Sequence, residues 1–138
     1  MYWIIESHQY AQNHELLDQM YRLRKRVFKD QLEWDVTVHG GWEHDEYDRL
    51  KPAYLIWTDS TGLVLHGSVR LMPTTGPTLL YDVFRRTFPE KLDLSAPGIW
   101  EGTRMCIDEV RLAQDRPGLK PARGFCLLLL ALCEIAMD

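Results

Sequence analysis

The run from Gly98 to Asp108, Gly-Ile-Trp-Glu-Gly-Thr-Arg-Met-Cys-Ile-Asp, places two opposite charges inside an apolar, strand-forming segment. Its aromatic, β-branched and sulfur-containing residues suit a half-buried β-strand, and the preceding Pro97 helps to mark its start. Glu101 and Arg104 are costly to bury unless they pair with each other or with other charges. The run therefore predicts a central strand at a site, with charged partners supplied by other parts of the chain.

The length and composition of the chain predict one soluble globular domain. It has 138 residues, of which 46% are hydrophobic and 26% charged, and its net charge is -4. An acidic balance argues against binding to nucleic acid or to an anionic membrane through the whole surface. The longest apolar run, Phe125 to Cys133, is about half of what a bilayer span requires. These features predict a cytoplasmic protein with no nucleic-acid partner and no membrane span.

The cysteines and histidines give no support for a disulfide framework or a metal site. The three cysteines lack Cys-x-x-Cys spacing, and the five histidines lack metal-ligand spacing. We therefore predict buried free thiols and no bound metal.

Local patterns predict the main helices and strands. Apolar residues at helical spacing predict a helix from about residue 14 to 29, in which Arg24 lies one turn before Phe28 and shares its side. Two β-prone runs, Ala53–Thr58 and Leu63–Leu71, are joined by a turn-forming segment and predict a hairpin.

Residues 30–52 lack periodicity and predict a long loop, which in a compact domain usually has a function. The loop carries four acidic residues, Glu43, Asp45, Glu46 and Asp48. These carboxylates are expected to attract a cation or to pair with the arginines just upstream. For Glu43 and Glu46 a solvated position is the alternative.

A second helix is predicted from about Ala122 to Met137. It is apolar nearly all round, so it must be covered on several sides. At most four strands and two long helices can be identified, which is few for a closed α/β sandwich. We therefore expect a single domain over residues 1–138 that is interrupted after the helix ending near 137.

Eight charged or aromatic residues resist assignment to an apolar core: Arg24, Phe28, Trp34, Asp45, Asp48, Arg70, Glu101 and Arg104. Three arginines meet three carboxylates, a balance that a purely structural ion-pair network would also show. In a regular strand Glu101 and Arg104 would point to opposite faces. Either a bulge at Gly102 re-aims one of them, or Arg104 serves a network on the far face.

The order and spacing of these residues resemble the LuxI-type acyl-homoserine-lactone synthases over nearly the whole chain. The matching motifs are Arg24-x3-Phe28-x5-Trp34-x10-Asp45-x2-Asp48, Val69-Arg70 with the following Pro73-Thr74-Thr75-Gly76-Pro77, and Trp100-Glu101-Gly102-Thr103-Arg104. The resemblance implies an α/β fold, a GNAT-like three-layer α-β-α sandwich around a splayed mixed sheet whose gap holds the phosphopantetheine arm. Members of that family are longer, which agrees with an interruption near residue 137.

The resemblance also implies a reaction. The amine of S-adenosylmethionine would attack an acyl thioester, and its carboxylate would then displace methylthioadenosine to close a lactone used in quorum sensing. Glu101 would be the base, with Arg104 and Asp45 also catalytic, and Arg24 or Arg104 would hold the substrate carboxylate. The residues implied to bind S-adenosylmethionine are Arg24, Phe28, Trp34, Asp48 and Arg70. Thr103 and Met105 are implied to border the acyl chain or phosphopantetheine.

The implied partners are small molecules and a carrier. S-adenosylmethionine is a substrate, so no tightly bound cofactor is expected, and the acyl thioester comes from acyl carrier protein or coenzyme A. The basic residues that are candidates to receive an acidic carrier or the phosphates of coenzyme A are Arg22, Lys25, Arg26, Arg116, Lys120 and Arg123. The alternatives are another GNAT-like N-acyltransferase and an inactive fragment or paralogue that keeps the ion pairs for stability.

Overall fold

The computed structural model describes residues 1–89 and 93–137, and its centre is a four-stranded antiparallel sheet in the order β1-β4-β5-β6. The strands of this sheet are β1 Tyr2–Ile5, β4 Ala53–Thr58, β5 Leu65–Pro73 and β6 Trp100–Ile107. A separate two-stranded ribbon consists of β2 Val38–His39 and β3 Trp42–Glu43. The predicted hairpin is thus β4–β5. The run predicted as a central strand is β6, which lies at the edge of the sheet among the described residues and not at its centre.

Helices cover both faces of the sheet. The α-helices are α1 His14–Arg24, α2 Leu79–Asp82, α3 Glu109–Asp115 and α4 Pro121–Met137. A π-helix, Lys25–Gln31, continues α1, and short 3-10 helices occur at Ser7–Gln9, Glu46–Leu50 and Arg85–Thr87. Leu16, Met20 and Leu23 of α1 pack against one face of the sheet, and Leu128 and Ala131 of α4 pack against the other. The predicted three-layer α-β-α arrangement is therefore confirmed, whereas every strand pair of the sheet within the described residues is antiparallel, so the expected mixed pairing is not seen there.

The long loop predicted for residues 30–52 contains more regular structure than its sequence suggested. The ribbon β2–β3 and the 3-10 helix Glu46–Leu50 both lie within it. The predicted helix 14–29 changes to π geometry after Arg24, a change often seen at functional sites. Short elements such as β1 and α3 were not predicted, because four to seven residues carry little periodic signal.

The apolar helix α4 buries Gly124, Leu128 and Ala131 against the sheet, and its other side leaves Leu129 and Leu130 exposed. Among the helices of the described residues, none combines the length and apolarity needed to cross a membrane. All three cysteines are free thiols as predicted, but only Cys106 is buried. The other two, Cys126 and Cys133, lie at exposed positions of α4, so their predicted burial is wrong.

Candidate active site

A bulge in β6 settles which faces of the sheet Glu101 and Arg104 occupy. Arg70 of β5 pairs with Thr103 of β6, and Ser68 pairs with Cys106. Arg104 and Met105 of β6 therefore lie opposite a single residue of β5, Val69. Arg104 has a φ of 53°, the left-handed conformation that most residues avoid. The extra residue turns Arg104 to the same face as Glu101 and Thr103. The bulge predicted at Gly102 therefore lies at Arg104 and its successor.

On that face, three arginines and three carboxylates alternate in a closed ring of salt bridges, which we call the ion-pair ring. In order around the ring, its members are Arg24, Glu43, Arg104, Asp45, Arg70 and Asp48. They come from α1, β3, β5, β6 and the start of the 3-10 helix at residues 46–50. Segments far apart in sequence are thus joined at one place, with formal charges that cancel.

The most buried part of the ion-pair ring surrounds Arg24. Its Nη1 and Nη2 donate to the two carboxylate oxygens of Asp48 at 2.8 and 2.9 Å, and its Nε donates to Glu43 at 2.6 Å. Asp48 also accepts the hydroxyl of Tyr54 at 2.8 Å, and Tyr54 in turn contacts the hydroxyl of Tyr21 at 2.9 Å. Every guanidinium nitrogen of Arg24 is engaged by protein.

Arg104 and Arg70 close the other half of the ring. Arg104 donates to Glu43 and Asp45 at 3.1 and 3.0 Å. Arg70 Nη1 lies 2.5 Å from Asp45 and 3.3 Å from Asp48. Two nitrogens stay unused: Arg70 Nη2 is buried without a partner, and Arg104 Nη1 has no acceptor among residues 1–89 and 93–137.

Burial and charge have opposite effects on the groups of the ring. Burial by itself disfavours the ionised form of Asp48, but the hydrogen bonds and charge of Arg24 and the charge of Arg70 outweigh it and hold its pKa below the usual range. Burial likewise acts to lower the pKa of Arg24, and Asp48 and Glu43 reverse that effect and raise it. Arg24 and Asp48 therefore stay ionised as a buried pair.

Glu43 is the site residue for which sequence reasoning left a solvated alternative, and that alternative is wrong because its side chain is fully buried between Arg24 and Arg104. A signal was available in the sequence. Glu43 lies two residues before Asp45, and in extended chain such residues point to the same side. Asp45 is indeed extended, with φ -120° and ψ -177°. Glu46, by contrast, is exposed.

Glu101 lies outside the ion-pair ring and binds the start of α2. Its two carboxylate oxygens accept the backbone N–H groups of Leu79 and Leu80 at 3.2 and 2.5 Å. The same short helix is capped by Thr78, whose hydroxyl accepts the N–H of Tyr81 at 3.3 Å. The third carboxylate of the predicted balanced network is therefore Glu43 and not Glu101.

Two aromatic residues border the ring at Arg104. Phe28 and Trp34 are stacked with their centroids 5.0 Å apart, and the guanidinium of Arg104 lies 5.5 Å from the centre of Phe28. Phe28 is buried between these neighbours, whereas Trp34 is 48% exposed. The indole of Trp34 is thus the accessible aromatic surface of the site.

Thr103 and Met105, both predicted to border the acyl group, face opposite sides of the sheet. The hydroxyl of Thr103 accepts Nε of Arg70 at 3.0 Å on the ring side. Met105 packs with the apolar cluster under α4. A groove of about 590 Å³ lies on the α4 side as well, lined by Leu71, Trp100, Gly102, Leu132 and Ile135 among others. Neither Thr103 nor Met105 lines that groove.

Comparison with known proteins places these residues in a family. Residues 8–138 match the family model described as autoinducer synthase. The acyl-homoserine-lactone synthase of Rhizobium etli is 40% identical over 123 residues, which cover 88% of this chain and 55% of the relative. That of Pseudomonas aeruginosa is 39% identical over 95 residues, covering 68% and 47%. The chain spans about half the length of these curated relatives.

Solved structures agree with the sequence comparison. The crystal structure of the AHL synthase LasI has a TM-score of 0.80 and 28% identity, and the match covers 99% of this chain and 66% of LasI. The CoA-dependent acyl-homoserine lactone synthase BjaI, solved with SAM and isopentyl-CoA, has a TM-score of 0.83 and 28% identity, covering 100% and 61%. By its fold and its sequence, this chain belongs to the autoinducer synthase family.

Proposed function

We propose that the protein is an acyl-homoserine-lactone synthase, which acylates the amine of S-adenosylmethionine from an acyl thioester and closes the lactone with release of methylthioadenosine. Family membership supports the proposal. The observation that carries it is the edge of the ion-pair ring at Arg104, whose Nη1 has no acceptor in the described part of the chain. Arg104 lies against Phe28, which in turn stacks on the exposed indole of Trp34. That edge suits a ligand with a carboxylate and a cationic, aromatic remainder.

The substrate carboxylate is assigned to Arg104. Arg24, the other candidate, has all its nitrogens engaged by Asp48 and Glu43. Arg104 keeps Nη1 for a ligand, and the buried, unpaired Nη2 of Arg70 supplies a further donor at the same ring. Charge-assisted bonds from guanidinium to carboxylate are among the stronger hydrogen bonds in proteins.

The sulfonium and adenine groups are assigned to Trp34. A cation is attracted to the face of an indole, and adenine stacks on the same kind of surface. Phe28 is buried, so its part is to support the indole, while Asp45 at the rim of the ring adds negative charge. Asp48 has its oxygens occupied by protein donors, which makes it an anchor for Arg24 and Arg70.

Glu101 is assigned as the base. The neutral substrate amine attacks the thioester carbonyl, and its proton passes to Glu101 directly or through one water. The carbon–sulfur bond of the thioester then breaks as the amide forms, and Glu101 returns the proton to the leaving sulfur, which departs as a thiol. The carboxylate held by Arg104 then attacks the carbon bound to the sulfonium. That carbon–sulfur bond breaks, and neutral methylthioadenosine leaves without any further proton transfer.

The acyl chain is assigned to the groove under α4. Its lining includes Trp100 and Gly102 of β6 together with Leu71 of the neighbouring strand. Trp100 and Gly102 lie on the face opposite Glu101, so the acyl thioester is proposed to reach Glu101 around β6, the edge strand of the described sheet. Apolar walls of this kind favour an alkyl chain through burial of its surface. The thioester is proposed to come from acyl carrier protein or coenzyme A. The basic docking candidates, all exposed except the half-buried Lys25, are Arg22, Lys25, Arg26, Arg116, Lys120 and Arg123.

Incubation of the full-length protein with S-adenosylmethionine and a panel of acyl carrier protein and coenzyme A thioesters tests the proposal. Methylthioadenosine and an acyl-homoserine lactone should appear together in equal amounts, measured by liquid chromatography and mass spectrometry. Absence of both products across the panel would refute the proposal. If calorimetry also detects no binding of S-adenosylmethionine, the acceptor is another amine.

The role of Glu101 is tested by Glu101→Gln, which keeps the shape of the side chain but cannot accept a proton. Turnover should fall by about a hundredfold or more, whereas Kd for S-adenosylmethionine should change little. Glu46→Gln is the matched control, because Glu46 is exposed and lies outside the ring. Equal turnover of the two variants would contradict the assignment.

A further inference from the structure

The short helix α2 is attached to the site at both of its ends. At its start, the N–H groups of Leu79 and Leu80 bind the carboxylate of Glu101. At its end, the carboxylate of Asp82 accepts the hydroxyl of Tyr47 at 3.0 Å. The two contacts join α2 to β6 and to the 3-10 helix at residues 46–50.

Tyr47 is itself part of the structure around the ion-pair ring. It is 5% exposed, and the guanidinium of Arg70 lies 5.4 Å from the centre of its phenol. Its backbone N–H donates to Asp45 at 3.0 Å. Burial, followed by the neighbouring carboxylate of Asp82, raises the pKa of Tyr47 to about 12, so its hydroxyl is a proton donor at neutral pH. The phenol thus has one face on the ring and its hydroxyl on α2.

The position of α2 depends mainly on polar contacts, because the helix has only four residues and none of them is buried. Besides the contacts at its two ends, the hydroxyl of Tyr81 donates to Asp93 and accepts the N–H of Leu94. Helices of this length are not stable in isolation. A shift of α2 would move the two N–H groups that orient the carboxylate of Glu101. Loss of the contact at Asp82 should therefore change the orientation of the Glu101 carboxylate, although Asp82 and Glu101 make no direct contact within the described residues.

From this connectivity we propose that Tyr47 and Asp82 are positioning residues for Glu101, acting through α2. The inference rests on the proposed function, in which Glu101 is the base. It assigns Tyr47 no contact with substrate. It predicts instead that the hydroxyl–carboxylate bond sets the geometry of proton transfer and leaves binding of S-adenosylmethionine to the ring and Trp34.

Tyr47→Phe removes only the hydroxyl and keeps the phenyl group beside Arg70. Its kcat should fall about tenfold, and its KM for S-adenosylmethionine should stay within about twofold of the original. Asp82→Ala should have the same effect, whereas Asp82→Asn keeps an oxygen acceptor and should restore most of the turnover. Combined with Glu101→Gln, Tyr47→Phe should cause almost no further loss.

Tyr10→Phe is the matched control, since it deletes another partly buried hydroxyl, bound to the carbonyl of Pro52, away from α2. The second readout is amide hydrogen exchange at Leu79 and Leu80, which should accelerate in Tyr47→Phe and not in Tyr10→Phe. Unchanged exchange at both amides would overturn the proposal, as would an unchanged kcat. If the unmodified protein makes no lactone, the proposed function fails, and the exchange rates alone decide whether Tyr47 positions α2.

Discussion

The two faces of the central sheet differ in polarity. On the α1 side, next to an apolar cluster, lies the closed ion-pair ring of three arginines and three carboxylates, and four of these six residues are almost completely buried. On the α4 side, Leu55, Trp57, Val69, Ile107 and Leu128 form a cluster of ordinary apolar contacts. One sheet therefore carries a polar site on one face and a hydrophobic core on the other.

The two faces should differ in how they respond to side-chain substitution. Apolar packing depends on volume and can relax partly around a smaller side chain. A buried ionic ring depends on every member, because removal of one charge leaves its partners desolvated and unpaired. The ring face should therefore respond to substitution more sharply and less additively than the α4 face.

The largest effect is expected when the ring loses Arg24. Arg24→Met keeps much of the side-chain volume but leaves Glu43 and Asp48 buried without their main cation. The free energy of unfolding should fall by about 3–5 kcal/mol in denaturant titration. Arg22→Met is the control, because Arg22 is exposed and, within residues 1–89 and 93–137, forms a salt bridge with Asp18 alone. A loss below about 1 kcal/mol in Arg24→Met would show that the ring is less cooperative than its geometry indicates.

On the apolar face, Leu128→Ala should destabilise the protein by about 2–4 kcal/mol, since it removes a fully buried side chain and leaves a cavity that closes only in part. Leu129→Ala on the same helix is the control, because Leu129 is half exposed and should cost well under 1 kcal/mol. Similar losses for both variants would mean that α4 does not pack as described.

Acid should weaken the ring face selectively. The pKa of Asp48 is lower in the folded state than its ordinary value of 3.8, so the unfolded chain binds more protons in that range. The contribution of Asp48 is therefore fully present above about pH 4 and declines below it, by at most about 1.4 kcal/mol per pH unit. Chemical denaturation between about pH 5 and pH 3 measures the slope, which Asp48→Asn should reduce. An equal slope in both proteins would contradict this account.

The smallest expected effect is the coupling between the two faces. Arg24→Met and Leu128→Ala should add to within about 0.5 kcal/mol, because the two side chains share no partner and lie on opposite sides of the sheet. Arg24→Met and Asp48→Asn should fall well short of additivity, since each removes the same salt bridge. A double-mutant cycle for each pair measures both quantities. Strong coupling across the sheet would show that its faces are not independent.

Much of the framework could be predicted from local pattern. Periodicity predicts α1, α4 and the β4–β5 hairpin. The charged residues within the apolar run of β6 indicate a strand with charged partners, and Arg104 of that strand lies in the ion-pair ring. The motif spacing led to the family that the comparisons establish. These features are readable because each depends on residues that are close together in sequence.

The membership of the ring could be predicted only in part. Arg24, Asp45, Asp48, Arg70 and Arg104 were anticipated, but Glu101 was placed among them and Glu43 was left open. Both outcomes depend on contacts between distant segments: Glu101 meets the start of α2, and the ribbon β2–β3 carries Glu43 into the interior. The spacing of Glu43 and Asp45 indicates that they share a side, but no local signal reports which arginines they meet.

From the sequence alone it follows that β6 carries charges in an apolar run, and that arginines and carboxylates are available to neutralise one another. The tertiary structure decided which carboxylate meets which arginine, and it resolved the orientation of Arg104 through a bulge at a left-handed residue. The physical reason is that charge balance is a property of composition, whereas pairing at hydrogen-bond distance depends on the backbone path of five separate segments.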